Sequence, residues 1–217
     1  MDFKARFVSW QEIDKWCDEI YLKLVADSFK PEAIIGLARG GLVPSRILSD
    51  SLFVKDLYAV KTEHWGITAT RNGTATIQKT TDLNVKGRKV LVVDDIIDTG
   101  GSMKLARDFI STLGPSALRT ATMLHIDHSS FAPDFYAEKV TKENWTWFIF
   151  PWNVHEDIYN LSSKFLDQSM STGEISKELQ SRFGLNVDDV NMERVLDQIH
   201  RIGKLQKNGK KWSRINS

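Results

Sequence analysis

The segment Lys89-Val90-Leu91-Val92-Val93-Asp94-Asp95-Ile96-Ile97-Asp98-Thr99-Gly100-Gly101-Ser102-Met103 leaves the chain around it little freedom in how to fold. Val90, Leu91, Val92 and Val93 form a short, continuous, mostly β-branched run, the pattern of a parallel strand covered on both faces. Asp94 and Asp95 follow at its carboxyl end, where open α/β sheets hold their ligands. Thr99, Gly100, Gly101 and Ser102 then bring two hydroxyls and closely spaced backbone N–H groups to a helix start. That combination suits a phosphate, because a helix N-terminus presents N–H donors and a partial positive charge.

The rest of the chain supplies partners for such a strand. Ser9-Trp10-Gln11-Glu12 is a capping box, and Ile13, Trp16, Cys17, Ile20 and Leu24 recur at helical spacing, which predicts a helix to about Phe29. Cys17 lies on that apolar stripe and reads as core. Residues 33–37 read as a second buried strand, 42–52 as a helix after a Gly-Gly turn, and 57–60 as a third strand. Met103, Ala106, Ile110 and Leu113 give an amphipathic helix that Gly114-Pro115 stops. Residues 121–126 and 147–150 read as further strands. Strands alternating with helices at these spacings predict an α/β fold with a doubly wound, mostly parallel sheet. Residues 62–80 are polar, threonine-rich and glycine-punctuated, and read as a long mobile hairpin.

Length and charge bound the possibilities. The 217 residues suffice for one α/β domain and a small appendage. A net charge of +1 excludes a molecule that binds nucleic acid through its overall field. One cysteine excludes a disulfide framework or a cysteine-based zinc site within one chain. No apolar stretch approaches a membrane span and the N-terminus lacks a signal-peptide core, so a cytoplasmic location is expected. Composition shifts near Asn160: residues 160–217 hold 10 Lys and Arg against 7 Asp and Glu. This divides the chain into a 1–159 domain and a 160–217 extension. The extension reads as helices at 161–169, 173–183 and 187–202, then a hairpin with Asn208-Gly209 as a type I′ turn, the layout of a small winged-helix unit.

The 89–103 segment resembles the phosphoribosyl-pyrophosphate (PRPP) motif of the type I phosphoribosyltransferases: four apolar residues, two acids, two apolar residues, then Asp-Thr-Gly-Gly-Ser. One βα unit earlier, Ala38-Arg39-Gly40-Gly41 resembles their pyrophosphate loop, in which glycines admit an anion and Arg39 offers a planar fork of donors. The resemblance implies a cis non-proline bond at Ala38–Arg39 or Arg39–Gly40. It also implies that a ring nitrogen of a base displaces pyrophosphate from C1 of PRPP, through an oxocarbenium-like transition state. By motif position, Asp94 and Asp95 hold the ribose hydroxyls, Asp98 is the general acid/base for the base's imidazole ring, and Thr99, Gly100, Gly101 and Ser102 cradle the 5-phosphate. Mg²⁺ is expected mainly through substrate oxygens, with Asp94 and Asp95 as its candidate protein ligands. The 62–80 hairpin matches the family's flexible loop, with Thr70 and Arg71 expected at the pyrophosphate. A homodimer is expected on the same grounds.

Residues 145–152 resemble the purine-binding strand of the 6-oxopurine enzymes, with Trp147 as stacking platform and Phe148 giving backbone contacts. Trp145, Trp147 and Trp152 fit a core role equally well. Those enzymes place a lysine after the preceding strand to donate to O6; here Asp127 stands there, and a carboxylate suits the amino group of adenine. Adenine is therefore the expected base, with hypoxanthine, xanthine or guanine as the alternative. His125 and His128 are alternative readers, and Asp127 also fits a solvated loop. The basic hairpin (Lys204, Lys207, Lys210, Lys211, Arg214) suggests a rival class, a nucleic-acid-binding regulator. Asp98 and the Trp147 strand favour an enzyme, with the tail as a dimer contact or active-site cover.

Overall fold

A computed structural model describes residues 3–63, 76–78 and 83–215. In chain order its elements are β1 (Ala5–Phe7), α1 (Trp10–Ala26), β2 (Ala33–Ala38), α2 (Leu42–Ser51), β3 (Leu57–Glu63), β4 (Thr76–Gln78), β5 (Lys89–Ile97), α3 (Gly101–Ser111), β6 (Ala117–Ile126), β7 (Phe135–Val140), β8 (Trp147–Ile149), α4 (Val154–Ser162), β9 (Met170–Ser171), α5 (Thr172–Phe183), α6 (Met192–Arg201), β10 (Leu205–Asn208) and β11 (Lys211–Arg214). They divide into two compact units, Gln11–Trp145 and Met1–Trp10 with Thr146–Ser217.

The larger unit holds a six-stranded sheet of order β4-β3-β2-β5-β6-β7. Every neighbouring pair is parallel except β3–β4. The apolar runs of β2 and β5 lie side by side, Ile34 beside Leu91 and Ile35 beside Val92, all fully buried. Burying each such side chain contributes about 1.5–3 kcal/mol. Alternate residues face opposite helices. Met103, Ala106 and Ile110 of α3 cluster with Ala33, Ile35, Leu37, Val90 and Val92. On the other face α2 approaches β2 so closely at Gly36 that a Cβ there would lie 2.7 Å from Ser45 Oγ. The chain leaves β2 toward β3 and leaves β5 toward β6, so the loops after these central strands diverge. A doubly wound sheet binds its ligands at this switch point.

Two expectations for this unit change. β5 continues through Asp94 and Asp95 to Ile97, because β6 runs alongside it with Asp94 opposite Thr122 and Ile97 opposite His125. The edge strand β7 was not expected, although Phe135 and Ala137 are buried while Tyr136 and Glu138 are half-buried, the alternation of a strand. β3 and β4 pair antiparallel with Glu63 opposite Thr76, while most of the hairpin expected at 62–80 lies outside the described residues.

The smaller unit corrects the reading of 147–150 as part of the main sheet. β8 pairs in parallel with β1, Trp147 beside Ala5 and Ile149 beside Phe7, in a separate two-stranded sheet. The unit is thus larger than the segment that the composition shift at Asn160 marks. Its helix, strand, two helices and hairpin come with a three-stranded sheet of order β10-β11-β9. The first tail helix lies at Val154–Ser162 rather than 161–169, and the third begins at Met192, where the Asn191 side chain caps it by accepting from the Arg194 N–H. Met192, Val195, Leu196 and Ile199 of α6 are buried, as an amphipathic helix requires. Asn208 pairs with Lys211, so the hairpin turn is Gly209–Lys210, one residue on from the expected pair. Only Gly209 (φ 61°) is left-handed there, which excludes the type I′ turn. Lys207 reaches Glu193 and Asp197, each at 3.4 Å, so part of the hairpin's positive charge is balanced within the unit.

Candidate active site

The carboxyl ends of β2, β5 and β6 bring the first cluster together. Ala38–Arg39 is a cis peptide bond, one of the two expected positions. The Gly41 N–H donates to the Leu37 carbonyl at 2.8 Å, closing the loop tightly against β5. A Cβ at Gly41 would lie 2.3 Å from the Val93 oxygen, and one at Gly40 would lie 2.2 Å from Asp95 Oδ2. Glycine is therefore required at 40 and 41 by close approach to β5. Arg39 is exposed beside them.

Asp95 is buried and Asp94 half-buried at the end of β5. The Asp95 N–H donates to Asp94 Oδ1 at 3.0 Å, and the Ile96 N–H donates to Asp95 Oδ1 at 2.8 Å. Loss of water and the adjacent Asp95 charge push the Asp94 carboxyl well above the usual carboxylate range. A neighbouring cation or a sugar hydroxyl would relieve that cost.

Beyond the acids, Asp94, Asp98, Thr99, Gly100, Gly101 and Ser102 line a cavity of about 250 Å³ with Ile96, Ile97 and Met103. Gly100 begins α3 with φ 88°, and no side chain caps the helix there. The turn after β6 braces this loop. Ser130 donates to the Thr99 carbonyl from its N–H at 3.2 Å and from Oγ at 2.8 Å. A Cβ at Gly100 would fall 2.5 Å from Phe131 Cβ.

A second cavity, about 510 Å³, is lined by Ile126, Asp127, His128, Thr141, Lys142 and Trp145. His128 Nε2 lies 2.9 Å from Asp98 Oδ1, so the expected acid/base residue has a histidine partner. Sequence reasoning raised His128 only as a possible reader and did not foresee the pair, Lys142 or Trp145's place in the cavity wall. The cluster of polar side chains at 127–130, directly after a buried strand, was the available signal. Asp127 is exposed, as a solvated loop residue would be, yet it stands in this wall. His125 does not line the cavity: it is buried, 5.2 Å from the Tyr136 ring, with its titration lowered by burial and then by Lys139.

Trp147 and Phe148 belong to the smaller unit. The Trp147 indole N–H donates to Asp157 Oδ1 at 3.0 Å and its ring lies 5.9 Å from Phe3, while Arg6 sits 4.9 Å from the Phe148 ring centroid. Burial raises the Asp157 carboxyl, and the Trp147 hydrogen bond opposes the rise. Trp152 stacks on Phe150 at 4.9 Å, a core contact. Thr70 and Arg71 lie outside the described residues. Cys17 is buried, and loss of water with the nearby Asp14 and Asp18 pushes its thiol up to about 12, consistent with a core residue. Among the described residues no group of three His, Cys, Asp or Glu forms a metal cluster, and no helix is long and apolar enough to cross a membrane.

Comparison with known proteins bears on this geometry. The family profile for the phosphoribosyl transferase domain matches residues 6–158. The chain is 31% identical over 150 residues to a xanthine-guanine phosphoribosyltransferase of Idiomarina loihiensis, covering 69% of this chain and 87% of that one. A hypoxanthine-guanine phosphoribosyltransferase of Streptococcus agalactiae is 32% identical over 127 residues, covering 56% of this chain and 69% of its own. Among solved structures, a purine phosphoribosyltransferase from Pyrococcus horikoshii is similar at 26% identity and a TM-score of 0.60, over 68% of this chain and 93% of that one. These relatives are named for 6-oxopurines or for purines at large, so they do not support the adenine expectation drawn from Asp127.

Proposed function

The chain belongs to the purine phosphoribosyltransferases of the type I fold, and from that premise we propose that it transfers the phosphoribosyl group of PRPP to a 6-oxopurine (hypoxanthine, guanine or xanthine), releasing pyrophosphate. The observation that carries the choice of base is the 510 Å³ cavity, where Lys142 stands in the same wall as Asp127. Lys142 donates to an oxygen at position 6, and Asp127 accepts from ring or amino N–H groups. A donor beside an acceptor is what a 6-oxopurine edge requires.

In this reading the cavity of about 250 Å³ takes the ribose 5-phosphate. The α3 start and the Thr99 and Ser102 hydroxyls bind the phosphate oxygens. Asp94 and Asp95 hold the ribose hydroxyls, and Arg39 with the 38–41 backbone holds pyrophosphate. The base nitrogen forms its bond to C1 as the C1–oxygen bond to pyrophosphate breaks, and pyrophosphate leaves with the electron pair. Asp98 accepts the proton that the imidazole ring loses. The two carboxylates of β5 fit a hard cation that shares its oxygen ligands with the substrate. Mg²⁺ held there by Asp94, Asp95 and substrate oxygens would supply charge neutralisation for the leaving pyrophosphate. Trp145 is the aromatic lining the base cavity; the stacking role expected of Trp147 and the contacts expected of Phe148 remain part of the same proposal. So do Thr70 and Arg71 at the pyrophosphate, and the homodimer.

The test is pyrophosphate release with PRPP, Mg²⁺ and each of hypoxanthine, guanine, xanthine and adenine. Turnover is expected with at least one 6-oxopurine and weakly or not at all with adenine. Turnover with adenine alone would restore the Asp127 argument, and inactivity with every base would bring the regulator reading forward.

A further inference from the structure

We infer that Ser130 is a positioning residue for the 5-phosphate: it holds the Thr99–Gly100 peptide with its N–H turned toward the phosphate cavity. The inference rests on the reading that the cavity of about 250 Å³ takes the 5-phosphate of PRPP. Two donors of one residue converge on one acceptor here. The Ser130 N–H reaches the Thr99 carbonyl at 3.2 Å, and the Ser130 Oγ reaches it at 2.8 Å. Thr99 and Gly100 line the cavity, whereas Ser130 stands outside its lining.

A trans peptide is planar, and its C=O and N–H point in opposite directions. Turning the Thr99 oxygen to Ser130 therefore turns the Gly100 N–H away from Ser130, to the cavity side. Rotating that peptide plane changes ψ at 99 and φ at 100, and glycine accepts either sign of φ. Local sterics thus leave two orientations open. In one the cavity meets an N–H donor. In the other it meets a carbonyl oxygen, which repels an anion. The two Ser130 bonds select the first, with Gly100 at φ 88°. The turn that carries Ser130 is itself fastened: Ser129 Oγ accepts from the Phe131 N–H at 3.2 Å and donates to the Phe131 carbonyl at 3.1 Å. Ser130 is exposed, so removing its hydroxyl takes little from the packing.

PRPP and pyrophosphate are the probes, because pyrophosphate lacks the 5-phosphate and is assigned to the separate 38–41 loop. Binding of each with Mg²⁺ is measured by calorimetry for wild type, Ser130→Ala and Ser130→Thr, alongside melting temperature and steady-state kinetics. Ser130→Ala should weaken PRPP binding about 3- to 10-fold, the loss of one hydrogen bond, and leave pyrophosphate binding and melting temperature as in wild type. Its KM for PRPP should rise by the same factor, with kcat at saturating PRPP changed by less than about twofold. Ser130→Thr keeps the hydroxyl and should restore PRPP binding. A Ser130→Ala protein that binds PRPP as wild type does would overturn the role of Ser130 alone. Equal weakening of PRPP and pyrophosphate, or a Thr variant no better than Ala, would overturn it too, since either marks a general disturbance. Wild type that binds pyrophosphate but not PRPP would overturn the reading of the cavity and this inference with it.

Discussion

Helices α3 and α5 both start beside a strand, and they treat that start differently. α3 begins at Gly100 and α2 at Gly41, neither with a side-chain cap. In the smaller unit α5 begins in a complete capping box, where the Ser171 Oγ accepts from the Glu174 N–H and the Glu174 carboxylate accepts from the Ser171 N–H. Charge differs between two particular places as well. The larger unit sets Asp94 against Asp95 and lets Asp94 rise, while the smaller unit pairs Arg201 with Asp197 at 2.7 Å and Arg182 with Glu178 at 2.5 Å. The start of α5 is satisfied by the chain's own groups. At the start of α3, on the proposed reading, substrate oxygens complete what the fold leaves open, a stability cost borne at a functional site.

Substitution can break this contrast. The largest effect is expected from Gly40→Ala, whose Cβ would fall 2.2 Å from Asp95 Oδ2. Displacing that carboxylate should lower kcat/KM about 100-fold. Gly184→Ala, in open space at φ 64°, should leave turnover intact and cost about 1–2 kcal/mol in urea unfolding. Equal losses of activity in the two variants would erase the distinction between the units.

Next comes Asp94→Asn. The carboxyl of Asp94 is raised in the folded state, so its contribution to stability is fully present below the unfolded value, about 3.9, and is lost as pH rises through the folded one. The permanently neutral amide should therefore unfold at a higher temperature than wild type at neutral pH, with the gain fading toward pH 4, while PRPP binding weakens. A variant less stable than wild type at neutral pH would show that Asp94 is already satisfied in the free protein.

The smallest effect is expected from Ser171→Ala, about 1 kcal/mol in chemical denaturation with turnover unchanged. Hydrogen bonds from the Ser171 N–H and hydroxyl hold Glu174 below the usual carboxylate range, so the part of the loss that comes from the hydroxyl bond to Glu174 is present near neutrality and fades as pH falls. The two units should thus respond to acid with opposite sign. A loss from Ser171→Ala that did not shrink in acid would remove Glu174 from the account.

Local patterns made the larger sheet legible. The mostly β-branched run at 90–93 announces the strand and the glycines at 40–41 a close approach, and the cis bond falls at one of the two positions that the family resemblance implied. What stayed hidden depends on partners distant in sequence. β1 has only three residues, too few for alternation to show, and nothing near Trp147 says that β8 will join it. The Asp98–His128 pair was hidden because it follows from a turn pinned by Ser130, not from the spacing of the two residues. Lys142 and Trp145 reach the cavity only because β7 lies beside β6, and β7 was the strand not foreseen.

β2, β5, β6 and β7 are consecutive neighbours, and each delivers its residues from the same end: 38–41, 94–102, 127–130 and 141–145. Parallel strands stand about 4.8 Å apart, so four of them span about 14 Å. The sheet edge therefore works as a ruler whose graduations are set by backbone hydrogen bonds. Side-chain changes can alter what is read at one mark, on the proposed reading a base at β6 and β7 or an anion at β2, but they cannot move the marks. If the proposed sites hold, a chain built this way can change its choice of base while the distance from base to pyrophosphate stays fixed.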